Sequence, residues 1–164
     1  MALRNIREEG DPILRKKARE VTEINERITD LLDDLAETMR SVGGVGLAAP
    51  QVGVLRRVVV VEVEGQLYEL INPVITYTEG DQFEYEGCLS VPGKQGKVHR
   101  PAVVKLEALD RDGNKVEYEG TDLLARAFCH ETDHLNGVLF IDKAEIINEG
   151  EDIETDEEDE DDEE

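Results

Sequence analysis

The chain is poor in the features that would commit it to a membrane, a disulfide-bonded scaffold or a nucleic acid. In 164 residues, no apolar run approaches the ~18 residues of a membrane-spanning helix. The longest, at 58–61, has the length of a strand. The opening stretch MALRNIREEGDPIL lacks the apolar core of a secretory signal and is too acidic for an arginine-rich organelle presequence, so a cytoplasmic protein is expected. Two cysteines, Cys88 and Cys129, are too few for a disulfide framework and are expected as thiols. Basic charge is also scarce: 18 Lys and Arg face 40 Asp and Glu, for a net charge of −22 with no basic stripe. That sign opposes direct binding to nucleic acid phosphates.

The length suits one domain with a sizeable core. Its charge is uneven: residues 149–164 carry thirteen carboxylates and no cation, which leaves −9 on residues 1–148. A like-charge block of this kind repels itself and buries nothing. A folded domain over 1–148 and a disordered acidic tail over 149–164 are therefore expected.

Along the body, Asp11-Pro12 opens a short helix-like stretch to about Arg19. From Thr22 or Asn25 as cap, Ile24, Ile28, Leu31, Leu32, Leu35 and Met39 recur at helical spacing, so a long amphipathic helix is expected to about Arg40, stopped by Gly43 and Gly44. The period then changes to that of strands at 56–63, 66–71, 74–78, 98–109 and 115–119, the last two separated by the turn Asp110-Arg111-Asp112-Gly113. A second helix begins at Gly120-Thr121 and is stopped by Gly137. Strands that do not alternate with helices argue an α+β fold, with mostly antiparallel sheets packed around the second helix.

That second helix carries His130-Glu131-Thr132-Asp133-His134, two of only three histidines in the chain. Four residues apart on a helix, His130 and His134 stack on one face roughly 6 Å apart and can hold one metal ion. Glu131 is turned by about 100°, outside the coordination sphere, and is placed to act as a base towards water.

A catalytic site of this type takes a third protein ligand and keeps one position open. The histidine that one protease class places six residues after the second is here Phe140. Glu145 is the one downstream glutamate before the tail, and no further helix follows to present it. His99 is a lone strand histidine. Cys88, in Glu86-Gly87-Cys88-Leu89-Ser90 at the end of a strand-like segment, is the better candidate, whereas Cys129 is rotated away from the metal face and suits the core.

Three ordered segments, Gly44-Val45-Gly46-Leu47-Ala48-Ala49-Pro50-Gln51, Glu86-Gly87-Cys88-Leu89-Ser90 and His130-Glu131-Thr132-Asp133-His134-Leu135-Asn136-Gly137, resemble the motifs of the peptide deformylases over about residues 3–145. The resemblance implies removal of the formyl group from N-formylmethionine at the start of nascent polypeptides. It implies metal ligation by Cys88, His130 and His134, with ferrous iron in the cell and zinc, nickel or cobalt competent to replace it. Glu131 would take a proton from water and return it to the departing amine, with the Gln51 amide and the Leu89 N–H as oxyanion donors. Val45, Gly46, Leu123 and Ala127 match the substrate-binding positions. Asp133 would pair with Arg100 to steady the helix.

One departure is visible: many bacterial members have glutamine where this chain has Cys129. Proximity to the ribosome follows from where the substrate emerges, although an acidic tail opposes docking through that segment. Two rivals share the helix motif. One is a metallopeptidase, distinguished by its third ligand and substrate; the other is a structural metal site closed by four protein ligands.

Overall fold

The computed structural model describes residues 2–149, so the acidic segment expected to be disordered lies, apart from Glu149, outside the described residues. Among the described residues two α-helices and eight strands form an α+β fold with two antiparallel sheets. The first helix, α1 (Glu26–Ser41), starts at Asn25 rather than Thr22, because the Asn25 side chain accepts a hydrogen bond from the Ile28 N–H. Its apolar face, Ile28, Leu31, Leu32, Leu35 and Met39, is buried.

The larger sheet runs in the order β1 (Gly46–Ala48), β2 (Val58–Val63), β3 (Gln66–Glu79), β6 (Val103–Leu109), β7 (Lys115–Thr121). The second helix, α2 (Asp122–Leu135), packs against one face and α1 against the other. That sandwich explains the valine run. Val58 and Val60 share a core cluster with Leu32, Leu35 and Met39, while Val59 and Val61 share one with Ala125, Phe128 and Leu135, and all four valines are buried. Burying each such side chain contributes about 1.5–3 kcal/mol before chain entropy is subtracted.

The smaller sheet, in the order β4 (Gln82–Cys88), β5 (Val91–Arg100), β8 (Ile146–Glu149), has its own cluster of Leu14, Val91, Val98, Leu139 and Phe140. Its β4–β5 hairpin turns at Leu89 and Ser90.

Several expected boundaries move. The stretch at 11–19 is helical only over Pro12–Arg15, as a single 3₁₀ turn, and Arg19 instead bridges to Arg56. The strands expected at 66–71 and 74–78 are one, β3, interrupted by an irregularity between Ile71 and Val74. There Asn72 adopts φ +52°, and its amide exchanges two hydrogen bonds with the Val21 backbone. The strand expected at 98–109 is two, β5 and β6, in different sheets; Pro101 lacks the N–H that a continuous ladder needs. The three-residue β1 and the late β8 were not anticipated.

Candidate metal centre

The α2 helix is the structural axis of the site. His130 and His134 face the same side one turn apart, with their Nε2 atoms 3.3 Å from each other. Cys88 closes β4 and brings its Sγ to 3.4 Å from His134 Nε2. The three donor atoms lie within 4.8 Å of one another, so the cysteine chosen from the sequence meets the histidine pair.

The other candidates stand elsewhere. His99 is exposed on β5, with Nδ1 at 3.0 Å from Asp81 and its ring stacked on Phe83. Glu145 lies beside His99, with Oε2 at 3.4 Å from its Nε2. Cys129 is buried in the core between α2 and the larger sheet, where burial pushes its thiol up to about 11. Phe140 packs its ring near that of His130.

A residue without an assigned role in the sequence organises the centre. Glu86 shares a face of β4 with Cys88, and its carboxylate accepts from His130 Nδ1 at 2.9 Å and from Arg100 Nε and Nη2 at 2.8 and 3.0 Å. Burial raises its pKa, but the hydrogen bonds from His130 and Arg100 prevail and hold it at about 2. Arg100, 3% exposed, also donates Nη1 to Asp133 at 2.8 Å, the ion pair the resemblance implied. Asp133 takes a second cation, Lys143, at 3.1 Å. The i, i+2 spacing of Glu86 and Cys88 was a partial signal, because β4 shifts register against β5 between them and only the contacts with His130 and His134 show that both reach α2.

The donor set fits a divalent transition ion. Glu86 accepts from His130 Nδ1 and so turns Nε2 towards the cluster; burial opposes charge on this ring, but Cys88 and Glu86 raise it well above the usual imidazole range without a metal, so ligation displaces the Nε2 proton. Burial, then the neighbouring His130, holds His134 well below the usual imidazole range, so it is neutral and able to ligate. A thiolate and two imidazoles at one point form a three-ligand set that leaves room for a fourth, exchangeable ligand.

Glu131 stands beside the cluster without belonging to it. It is 5% exposed, and its Oε1 is buried with no hydrogen-bond partner among the described residues. Burial, its largest influence, pushes the carboxyl up to about 7. Gly46 on β1 makes room for it: a Cβ there would sit 2.6 Å from Glu131 Oε2 and 2.8 Å from Cγ. Gly46→Ala is therefore expected to displace the carboxylate and lower turnover by about 10²-fold, the typical effect of misplacing a reacting group by an ångström. Steady-state kinetics on a correctly folded variant check this, and wild-type turnover would rule it out.

Gln51 is 1% exposed and fully engaged. Its Oε1 accepts from the Ala48 N–H at 2.9 Å, and its Nε2 donates to Ser90 Oγ at 3.0 Å and towards Cys88 Sγ at 3.7 Å. Leu89 follows Cys88 directly. Together with Gln51, Leu89, Glu131 and the metal candidates Cys88 and His130, the residues Val45, Gly46, Leu123 and Ala127 line a cavity of about 500 Å³. A second cavity, of about 650 Å³, lies by the start of α1 and shares no lining residue with it.

This arrangement defines a class: a candidate centre for one metal ion, with a cysteine and the two histidines of an HExxH helix as donors and the glutamate of that motif at the foot of a cleft. Comparison with known proteins narrows it. The sequence model of polypeptide deformylases matches residues 3–149. The peptide deformylase of Thermoanaerobacter pseudethanolicus is 62% identical over 144 residues, 88% of this chain and 91% of that protein. Among crystal structures, the peptide deformylase of Thermotoga maritima superposes with TM-score 0.84 at 40% identity, covering 87% of this chain and 97% of that one. The peptide deformylase of Synechococcus elongatus in complex with actinonin also gives 0.84 at 40% identity, covering 86% and 78%. The chain belongs to the polypeptide deformylase family.

Proposed function

We propose that the chain removes the formyl group from the N-terminal formylmethionine of nascent polypeptides, releasing formate, with one divalent ion held by Cys88, His130 and His134. The observation that carries this is the convergence of those three donors within 4.8 Å beside an unpartnered glutamate oxygen. When bound, the ion supplies Lewis acidity, lowering the pKa of water towards neutrality and polarising a carbonyl oxygen. The thiolate and imidazole donors suit iron(II), zinc, nickel and cobalt. We assign ferrous iron in the cell, following the family resemblance.

The chain's own residues supply the rest. Glu131 takes a proton from the attacking water and delivers it to the amine nitrogen as the formamide C–N bond breaks, acting first as base and then as acid. A carboxyl raised to about 7 is suited to both steps near neutral pH. The Gln51 amide, through the N–H now aimed at Cys88 Sγ over a long 3.7 Å, and the Leu89 N–H hold the formyl oxygen as it gains negative charge. Ala48 and Ser90 fix the Gln51 amide in advance, so little reorganisation is needed. Gln51→Ala is expected to lower turnover by about 10²–10³-fold, measured at saturating substrate in the metal-loaded protein.

β1 is an edge of the larger sheet, so Val45 and Gly46 can pair with the substrate backbone as an added strand. Leu123 and Ala127, each seven residues or about two turns before His130 and His134 respectively, offer the apolar wall for the methionine side chain. Residues 1–148, with Glu149 closing β8, form the catalytic unit, and the acidic segment that follows takes no part in chemistry. The enzyme works in the cytoplasm, close to ribosomes where its substrates emerge, without direct contact to nucleic acid or membrane; a charge of −22 opposes binding to phosphates. No helix among the described residues is long and apolar enough to cross a membrane.

Product analysis on formyl-Met-Ala-Ser tests the proposal. The expected products are formate and intact Met-Ala-Ser. Cleavage between Met and Ala without formate would make the protein a metallopeptidase instead.

A further inference from the structure

The cavity that holds the metal donors contains one side chain whose chemistry the deformylation steps leave unused. Arg126 lies on α2 four residues before His130 and lines the same cavity. It is half-buried, and its Nη1 donates to Gln82 Oε1 at 2.8 Å. Gln82 is itself anchored, because its Nε2 donates to the Pro101 and Asp122 carbonyls at 3.0 and 2.9 Å. The guanidinium is thus positioned by an amide that has no freedom to turn away.

No carboxylate completes the arrangement. In a chain with 40 Asp and Glu against 18 Lys and Arg, anionic partners are in excess. Among the described residues Arg4, Arg7, Arg15, Arg40, Arg100 and Arg111 each hold one; Arg126, like Arg19, Arg27, Arg56 and Arg57, holds none, and of these five it alone lines this cavity. The two carboxylates lining the cavity are committed elsewhere, Glu86 to Arg100 and His130, and Glu131 to a buried position against Gly46. The cavity's other cation, Lys94, already shares Glu9 at 3.4 Å.

We propose that Arg126, positioned by Gln82, is a specificity-determining residue that makes the cleft favour formyl-peptides with a carboxylate on the second or third residue. This rests on the deformylase function proposed above. Four residues of helix place Arg126 about 6 Å before His130 along α2, and an extended peptide advances about 3.4 Å per residue. With Leu123 and Ala127, which bracket Arg126 on the helix, taken by the methionine side chain, the half-exposed guanidinium is left to a side chain on the second or third residue while the formyl group lies at the metal donors. The cleft would thus carry a local preference opposite in sign to the protein's net charge, and over a Debye length of about 8 Å the near cation governs. A half-exposed ion pair of this kind contributes up to about 1 kcal/mol, or about 3- to 5-fold in kcat/KM.

The test compares the metal-loaded full chain on formyl-Met-Asp-Ala and formyl-Met-Ala-Asp with their Asn counterparts, in wild type, Arg126→Met and Gln82→Leu. The expected result is an Asp/Asn ratio of about 3–5 for at least one position in wild type. That ratio should shrink towards one in both variants and at high salt. Inhibition by the product Met-Ala-Asp over Met-Ala-Asn should follow the same order, as a readout of binding alone. Ratios near one in wild type, with normal formate release from the Asn peptides, overturn this proposal and leave the deformylase function standing. Absence of formate from every peptide overturns that function, and this inference with it.

Discussion

Glu131→Gln is expected to retain the metal and lose about 10²–10⁴-fold in turnover, the range that a positioned general acid–base contributes. The substitution preserves shape, so Gly46 still accommodates the side chain. What disappears is the ability to take up and release a proton. Because Glu131 is not among the clustered donor atoms, metal stoichiometry should be unchanged. Metal analysis by mass spectrometry alongside formate release checks both halves. A variant that loses its metal would make Glu131 a ligand, and one that works within tenfold of wild type would remove it from proton transfer.

Arg100→Met is expected to have the largest effect on stability. Arg100 is buried and holds two carboxylates, Glu86 and Asp133, of which Glu86 is itself buried. Removing one member of a buried charge network leaves its partners desolvated and uncompensated, at a cost of about 3–5 kcal/mol. Asp133 retains Lys143, so most of the penalty falls on Glu86.

The loss should also reach the metal. Glu86 orients His130, and disturbing such an outer hydrogen bond typically weakens metal affinity 10–100-fold. Denaturation of the metal-free protein and metal titration measure the two effects separately. An unchanged denaturation midpoint would mean the network contributes nothing net.

The same network sets an acid limit. Glu86 is depressed from 4.5 to about 2, so its contribution is fully present above about pH 4.5 and is lost as the pH falls towards 2.

The sequence showed the parts of this centre that follow from local periodicity. His130 and His134 could be placed together because helical spacing converts sequence distance directly into geometry, and Glu131 could be placed beside them for the same reason. Cys88 was a preferred candidate rather than a deduction, since its meeting with α2 is a contact across 46 residues. Glu86 was hidden for the same cause: its partners His130 and Arg100 are 44 and 14 residues away. Gly46 was expected only as a substrate-binding position, but the closest group to its missing side chain is the Glu131 carboxylate.

In the fold, the α1 periodicity and the valine-rich β2 were plain. The split between β5 and β6 was also signalled, by Pro101, and the sequence pattern alone underweighted it. The joining of β3 across Asn72-Pro73 was not, because it depends on an Asn held at positive φ by the Val21 backbone. β1, at three residues, is too short for any alternation to register. Its identity comes from pairing with β2, not from its own composition.

The central claim is that Cys88, His130 and His134, and no other protein group, hold one ion with a position left open. X-ray absorption of the protein loaded with one equivalent of cobalt(II) tests it most directly. The predicted spectrum shows one sulfur and two imidazole nitrogens per ion, with a further light-atom ligand that exchanges with added small molecules. A second sulfur from Cys129, a third imidazole from His99, or a closed set of four protein ligands would contradict it.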